Sequence, residues 1–205
     1  MKEGDWILVE FTGRIKATGE IFDLTSAEEA KKAGIWNPKQ TYGPKLVILG
    51  KRMILPQLEE ELKKLKPGEE KQVELKNPFG ERRPELIKII SLSHFLKNKI
   101  NPIPGMPIEI EGVPARVQAV SGGRVRVDFN HPLAGKTVIY RLKVVKKLEN
   151  LKEKAEALIK HFGISGEVVI QDQKPLIKLE KEIPEKLKKA IQDLLPEVGF
   201  TTKKA

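Results

Sequence analysis

The 205-residue sequence contains no cysteine, and only 5% of its residues are aromatic. The absence of cysteine excludes disulfides, thiolate catalysis and zinc sites built on sulfur ligands. The three histidines are scattered along the chain and form no metal-binding motif; they are His94, His131 and His161. We therefore expect a protein that uses neither a metal nor any other cofactor.

Long apolar segments are missing as well. The chain has no run of about eighteen apolar residues, the length that a membrane-spanning helix requires. Residues 1–6 carry no apolar signal segment, so we expect a cytoplasmic protein without a membrane partner. A hydrophobic content of 40% is still sufficient for one or two packed cores and a small additional unit.

The net charge of +10, with 38 Lys and Arg against 28 Asp and Glu, allows two interpretations. A basic balance is typical of proteins that bind nucleic acid or the ribosome. Enrichment in Lys and Glu without cysteine is also typical of thermophiles. We favour the thermophile interpretation because the positive charge is spread over the whole chain and no segment forms a basic arm.

Residues 1–84 have the pattern of a mixed α and β unit. Two strand-like segments precede a capping-box helix that begins at Ser26 and should end at Gly34. A buried strand over Leu46–Leu49 and a helix beginning at Pro56 follow. Residues 71–75 then alternate between polar and apolar side chains, as a half-buried strand does.

The rest of the chain shows two changes of pattern. Residues 84–135 are rich in apolar side chains and contain short alternating strands with glycine turns, which predicts a small β-rich unit with its own core. Residues 149–205 predict a helix, a hairpin and a second helix. About 55 residues are marginal for an independent core. This last part should therefore pack against the first unit, a partner subunit or a ribosome.

Short motifs recur along the chain in an order that resembles a known family. They are residues 9–13, 21–23, 47–51, 54–55, 58–59, 67–69, 78–80 and 140–145. The segment Asn130–Gly135, with the sequence NHPLAG, closes the interruption at 84–135. This order resembles FKBP-type peptidyl-prolyl cis-trans isomerases of the SlyD-like, long archaeal type with an insert-in-flap domain. The resemblance covers roughly residues 1–149.

The resemblance implies an α+β fold in which an antiparallel FKBP-like half-barrel sheet wraps on a short helix. A small β-rich domain is inserted into it, and an α/β appendix follows at the C-terminus. The isomerase domain would comprise residues 1–84 and 136–149, and the insert-in-flap chaperone domain residues 85–135. Residues 150–205 would form a C-terminal α+β domain.

The resemblance also implies an apolar cup between the sheet and the helix. Its catalytic residues would be Phe22, Asp23, Leu55, Phe79 and Tyr140. The substrate would also contact Phe11, Ile54 and Leu58. Asp23 would be the polar group on the rim, and the backbone N–H of Leu55 would bind a substrate carbonyl. In the insert, unfolded chains would contact Leu86, Ile87, Ile90 and Phe95.

Each assignment has a plainer alternative. Aromatic residues on strands usually belong to the core, and an isolated Asp such as Asp23 is more often a turn residue. The apolar residues of the insert could simply fill its core. His131, which precedes Pro132, is expected to support a turn rather than to act as an acid or base.

The function implied is that of a peptidyl-prolyl isomerase and folding chaperone. It would bind unfolded or proline-containing polypeptides and accelerate isomerisation of X-Pro bonds without a cofactor. One alternative is a non-catalytic module that binds the ribosome or another protein. The other is a dimerising chaperone, a homodimer that buries the apolar helix faces of residues 151–162 and 187–195 through its C-terminal domain.

Overall fold

The structure is a computed structural model, and it describes residues 1–202. In chain order its strands and α-helices are β1 (Trp6–Ile15), β2 (Ile21–Leu24), α1 (Ala27–Lys32), β3 (Lys45–Ile48), α2 (Pro56–Lys64), β4 (Glu70–Lys76), β5 (Ile87–Ser91), α3 (Leu92–Lys97), β6 (Pro107–Ile110), β7 (Val113–Ser121), β8 (Arg124–Asp128), β9 (Thr137–Leu148), α4 (Leu151–His161), β10 (Gly166–Gln171), β11 (Lys174–Leu179), α5 (Glu185–Leu194) and β12 (Gly199–Thr202). None of these helices is long and apolar enough to span a membrane.

The chain divides into two compact units. The first contains residues 1–74 together with the chain from residue 139 onward, and the second contains residues 75–138. Both boundaries fall within strands, β4 and β9. The predicted class, a mixture of helices with antiparallel sheets, is confirmed, whereas the finer division into three domains stays a prediction.

A five-stranded sheet organises the first unit. Its order is β2-β1-β9-β4, and β3 pairs with β1 as well. β1 is antiparallel to both β2 and β3, with Gly13 opposite Asp23 and Trp6 opposite Ile48. Alternate residues of β9 are buried, namely Val138, Tyr140, Leu142 and Val144. This period of two places one face of β9 in the core, where Tyr140 lies.

Two helices of this unit begin as the sequence predicts. The Ser26 hydroxyl accepts a hydrogen bond from the Glu29 N–H, so α1 has the predicted capping interaction. α2 begins at Pro56, where the missing N–H costs no helical hydrogen bond. α2 buries Leu58 and Leu62, which gives the helix a firmly packed apolar face.

The C-terminal segment packs on the first sheet. α4, the β10–β11 hairpin and α5 share one core with β1 and β3, in which Trp6 and Ile48 join Leu158, Ile177 and Ile191. β12 adds a parallel neighbour to β11, an element that the sequence did not predict. The sequence left open whether this segment packs against the first unit, a partner subunit or a ribosome, and the structure shows packing within the first unit. The apolar helix faces that suggested a homodimer are largely buried within the chain itself.

The second unit contains a separate four-stranded sheet with the order β5-β8-β7-β6. Its core consists of Phe95, Val117, Val125 and Val127, with partly buried side chains around them. β7 and β8 change register between Val117 and Ala119, which marks a bulge. β5 lies at one end of this sheet, paired only with β8 among the described strands.

The NHPLAG segment is held within the second unit by side-chain hydrogen bonds. The Asn130 side chain accepts the N–H of Arg83 at 2.8 Å and donates to its carbonyl at 2.9 Å. His131 Nδ1 accepts the N–H of Leu133 at 3.1 Å, and its ring stacks on Phe79 with centroids 4.8 Å apart. His131 therefore supports a turn, as the sequence interpretation held.

Candidate active site

Three aromatic rings from three strands of the first unit meet on one side of its sheet. The ring centroid of Tyr140 on β9 lies 5.6 Å from that of Phe22 on β2 and 6.1 Å from that of Phe11 on β1, and both pairs are edge to face. Such edge-to-face pairs are the arrangement that the ring quadrupoles favour. Tyr140 is 3% exposed, so the base of the cluster is shielded from water. The motif order had predicted that these three residues would come together, and they do.

The close approach of these rings depends on Gly13. A Cβ atom at this position would lie 2.9 Å from Phe22 Cζ and 2.9 Å from Tyr140 Cε1. Both distances are shorter than side-chain contacts allow, so the rings can hold these positions only if residue 13 has no Cβ. The sequence analysis quoted Gly13 within a motif but assigned it no role.

Asp23 is the polar group beside the rings. Burial raises the pKa of its carboxyl above the ordinary value, while the positive charge of Lys45 and the N–H of Leu24 act in the opposite direction. Burial also raises the pKa of Tyr140, and the negative charge of Asp23 adds to that effect. The ring cluster therefore combines an apolar wall with a half-buried carboxylate.

The loop between β3 and α2 places Ile54 and Leu55 ahead of the helix. The carbonyl of Leu55 accepts the N–H groups of Leu58 and Glu59, at 2.9 and 3.0 Å. The N–H of Leu55 donates to no group among residues 1–202. Ile54 and Leu55 are partly exposed, whereas Leu58 is buried. The loop therefore presents two apolar side chains and one backbone donor with no partner in the described chain.

The side chain of Glu59 on α2 is hydrogen-bonded to the start of this loop. Its Oε1 accepts the N–H of Gly50 at 2.7 Å, and its Oε2 is buried without a hydrogen-bond partner in residues 1–202. A buried carboxylate that accepts a backbone N–H fixes the start of the loop relative to α2. Sequence reasoning missed this role because Glu59 looked like one of several surface glutamates of a charged helix.

Thr25 and Lys45 are two further residues that the sequence did not single out. Thr25 Oγ1 is buried, accepts the Phe11 N–H at 3.0 Å and donates to the Phe11 carbonyl at 3.3 Å. The Lys45 ammonium lies 5.3 Å from the centroid of the Phe11 ring, within cation–π range. Thr25 therefore holds the backbone of Phe11, and Lys45 covers a face of its ring.

The remaining predicted site residues belong to the second unit. Phe79 is partly buried and stacks on His131 as described, and its place in the cup stays a prediction. Leu86, Ile87 and Ile90 are partly exposed. Phe95 is 2% exposed and forms the centre of the small core, in agreement with the plainer alternative for this residue, and its contact with unfolded chains stays a prediction.

The chain is similar to known proteins both in the second unit and over most of its length. The family described as "FKBP26, IF domain" matches residues 88–133. The short-type peptidyl-prolyl cis-trans isomerase of Methanocaldococcus jannaschii is 32% identical over 146 residues, which are 70% of this chain and 92% of that protein. The chain belongs to the FKBP-type peptidyl-prolyl cis-trans isomerase family.

Bacterial members of the FKBP-type family are also similar. The FKBP-type 16 kDa peptidyl-prolyl cis-trans isomerase of Escherichia coli is 30% identical over 145 residues, 68% of this chain and 88% of that protein. A probable FKBP-type 16 kDa peptidyl-prolyl cis-trans isomerase of Pseudomonas fluorescens is 28% identical over 109 residues. The predictions of an FKBP-type resemblance and of an enzyme of the isomerase class are confirmed.

Proposed function

We propose that the chain catalyses cis-trans isomerisation of X-Pro peptide bonds in polypeptide substrates, in the cup formed by Phe11, Phe22 and Tyr140 with the 54–55 loop. The observation that carries this proposal is the convergence of three rings from three strands beside the half-buried Asp23. Ile54 and Leu55 supply further apolar contacts, and Leu58 packs beneath them.

An apolar cup suits this reaction because the barrier is a loss of amide resonance. Rotation about the peptide bond costs about 18–20 kcal/mol, and no bond to carbon, nitrogen or oxygen is broken. The twisted amide is less polar than the planar one, so a site that excludes water favours the twisted form. Complementarity to that geometry lowers the barrier without a nucleophile or a general base. An acceleration of about ten-thousandfold requires only about 5.4 kcal/mol.

Two polar groups would hold the substrate in this orientation. The unpartnered N–H of Leu55 would donate to a substrate carbonyl and so fix one side of the rotating bond. The carboxylate of Asp23 would lie beside the carbonyl and nitrogen as their polarity changes. Both groups would position the amide, and neither would exchange a proton with it.

A protease-free isomerisation assay by exchange NMR tests this proposal. We expect the wild type to accelerate exchange of a prolyl peptide, and Tyr140→Ala to lose about tenfold or more, the equivalent of about 1.4 kcal/mol of transition-state stabilisation. Trp36→Ala is the matched control, since Trp36 is an aromatic residue of the same unit that is 45% exposed. Wild-type exchange no faster than that of denatured protein would refute the proposal.

We also propose that the second unit binds unfolded chains at the open edge of β5. At the two ends of β5, the N–H of Leu92 donates to the Gly123 carbonyl and the N–H of Phe129 donates to the Leu86 carbonyl. The even-numbered residues of β5 therefore direct their backbone N–H and carbonyl groups toward β8. By strand alternation, Ile89 directs its N–H and carbonyl to the open side. Its side chain is 69% exposed. An apolar, unpaired edge is the surface to which an extended polypeptide adds as a further strand.

Replacing Ile89 with proline tests the edge. Proline removes a donor on the open side without removing a hydrogen bond to β8, so the fold should be retained. We expect binding of a permanently unfolded, carboxymethylated polypeptide to weaken about two- to tenfold, which is the net worth of one hydrogen bond and some apolar contact. Ile103→Ser, which removes another exposed apolar side chain, should bind as the wild type does. Equal weakening in both variants would contradict an edge-specific mode.

A further inference from the structure

A cleft of the first unit remains unused by the proposed reaction. It has a volume of about 480 Å³ and lies between the 41–46 segment and the end of α4. Leu8, Leu46, Ala157 and Phe162 form its apolar lining. The cleft depends on the C-terminal segment, because α4 and the residues after it supply one of its walls.

The charged groups that line this cleft are all basic. They are Lys45 and Lys160, with the imidazole of His161 beside them, and no carboxylate lines the cleft among the described residues. Neither Lys45 nor Lys160 forms an ion pair within residues 1–202. The Lys160 ammonium lies 3.4 Å from where a Cβ of Gly43 would be, so it rests over the cleft wall. Burial, together with the charge of Lys45, lowers the pKa of His161 and so favours its neutral form. The two lysines therefore supply the positive charge of the cleft.

A neighbouring cavity of about 320 Å³ has a different character. It shares Leu8, Pro44, Ala157 and Lys160 with the first, but Glu153 and Glu156 also line it. Glu153 is paired with Lys146 at 2.6 Å. Of the two cavities, the first is therefore the one whose lining holds lysines but no carboxylate among the described residues.

This basic cleft adjoins the ring cluster through Lys45. The Lys45 ammonium lies over the Phe11 ring at 5.3 Å, and its charge acts on both Asp23 and His161. The wall that contains Lys45 is fixed beside Phe11, since the Gly43 N–H donates to the Thr25 carbonyl at 2.7 Å and Thr25 is hydrogen-bonded to Phe11. Strand alternation places Phe11 and Lys45 on one face of the sheet and Leu8 and Leu46 on the other. A polypeptide with its proline against Phe11 would therefore enter the cleft past Lys45, around the edge of β3.

We infer that this cleft selects substrates that carry acidic side chains close to the isomerised proline. The occupant is an acidic segment of the polypeptide, whose carboxylates pair with Lys45 and Lys160 while its apolar groups contact Leu8 and Phe162. An extended chain advances about 3.3–3.6 Å per residue, so the first carboxylate lies within about three residues of the proline. This inference rests on the proposed isomerase function and specifies the substrate class of that site.

The test compares kcat/KM for matched prolyl peptides in the protease-free exchange assay. One pair of peptides carries three Glu or three Gln residues before the X-Pro bond, and a second pair carries them after it. We expect the wild type to prefer one Glu peptide over its Gln counterpart by roughly two- to tenfold at low salt, the range that one or two exposed ion pairs supply. The preference should shrink in 1 M salt, where the screening length is about 3 Å.

Lysine variants test whether the preference for Glu peptides arises in the cleft. In the Lys45→Gln/Lys160→Gln double variant the Glu-to-Gln ratio should fall close to one, and Lys160→Glu should favour a Lys peptide instead. Lys189→Gln, which removes an exposed lysine of α5, should keep the wild-type ratio. Equal kcat/KM for Glu and Gln peptides in both pairs overturns the inference, as does a ratio that the double variant leaves unchanged.

Failure of the proposed function gives a different result. In that case the wild type does not accelerate exchange of the Gln peptides either. Fluorescence anisotropy with labelled Glu and Gln peptides then decides the inference by itself. Tighter binding of a Glu peptide that is lost in the double variant supports the acidic cleft, and equal binding of both peptides overturns it.

Discussion

Gly13→Ala is the substitution that most directly tests whether the geometry of the three rings matters. The new methyl group would lie 2.9 Å from Phe22 Cζ and from Tyr140 Cε1, whereas ordinary contacts begin at 3.4 Å. Each ring would therefore have to retreat by about 0.5 Å. The backbone of Gly13 has no positive φ, so alanine is not strained there for conformational reasons. Any effect must come from the rings.

The expected effect is larger on activity than on stability. Overpacking of this kind costs typically about 1–3 kcal/mol of folding free energy. A displacement of about 1 Å at a reacting site can cost about a hundredfold in rate, so half that displacement should cost roughly tenfold. We expect kcat/KM for prolyl peptides to fall by about tenfold while the chain remains folded at 25 °C, as measured by exchange NMR and by urea unfolding.

Gly199→Ala is the matched control for this prediction. Gly199 is also a strand glycine without a positive φ, and its Cβ would meet Leu176 Cδ1 at 3.1 Å. It lies on β12, and its new contact is with the end of a flexible side chain. We expect a comparable small loss of stability with unchanged activity. Wild-type activity in Gly13→Ala, or equal losses of activity in both variants, would refute the argument that Gly13 sets the ring positions.

Three other predictions follow from single residues. Asp23→Asn should lower isomerase activity yet raise the free energy of unfolding at neutral pH. Because burial raises the folded pKa of Asp23, the stability that the protonated carboxyl gives is complete below about pH 3.8 and is lost as the pH rises through the folded pKa. Urea unfolding of both proteins from pH 3 to 7 measures this, and a difference that grows toward low pH would contradict it. Glu59→Ala should destabilise the chain by about 1–3 kcal/mol through the orphaned Gly50 N–H, with the exposed Glu60→Ala near neutral. Asn130→Ala removes both hydrogen bonds to Arg83 and should increase amide exchange at residues 83, 130, 131 and 133–135. Unchanged protection would show that the turn holds without these bonds.

Much of the first sheet and the ring cluster could be predicted from the sequence, because their signals are local and ordered. Ser26 with Glu29, Pro56 and the alternating residues of β9 each satisfy a rule that needs no knowledge of distant contacts. Phe11, Phe22 and Tyr140 could be assigned together only because their motifs occur in the order of a family. Composition alone would have left them in the core.

The residues that were missed depend on contacts between distant parts of the chain. Gly13 has an ordinary φ, so nothing in the local sequence distinguishes it from a replaceable strand residue. Lys45 and Thr25 acquire their roles only when Phe11, distant in sequence, lies beside them. Phe95 is a case that the sequence left open: a dense apolar stretch fits a binding groove or a core, and only the packing of the small unit shows that this ring lies in the core.

The C-terminal segment links these observations. A segment of about 55 residues is marginal for a core of its own, and here it completes its core with Trp6, Leu46 and Ile48 from the same strands that position Phe11. Separating it from the first unit would expose that apolar cluster to water and remove one wall of the basic cleft. Its packing and the proposed choice of substrate therefore have one physical origin. An isomerase that lacked residues 150–205 would need different side chains on β1 and β3 to remain folded.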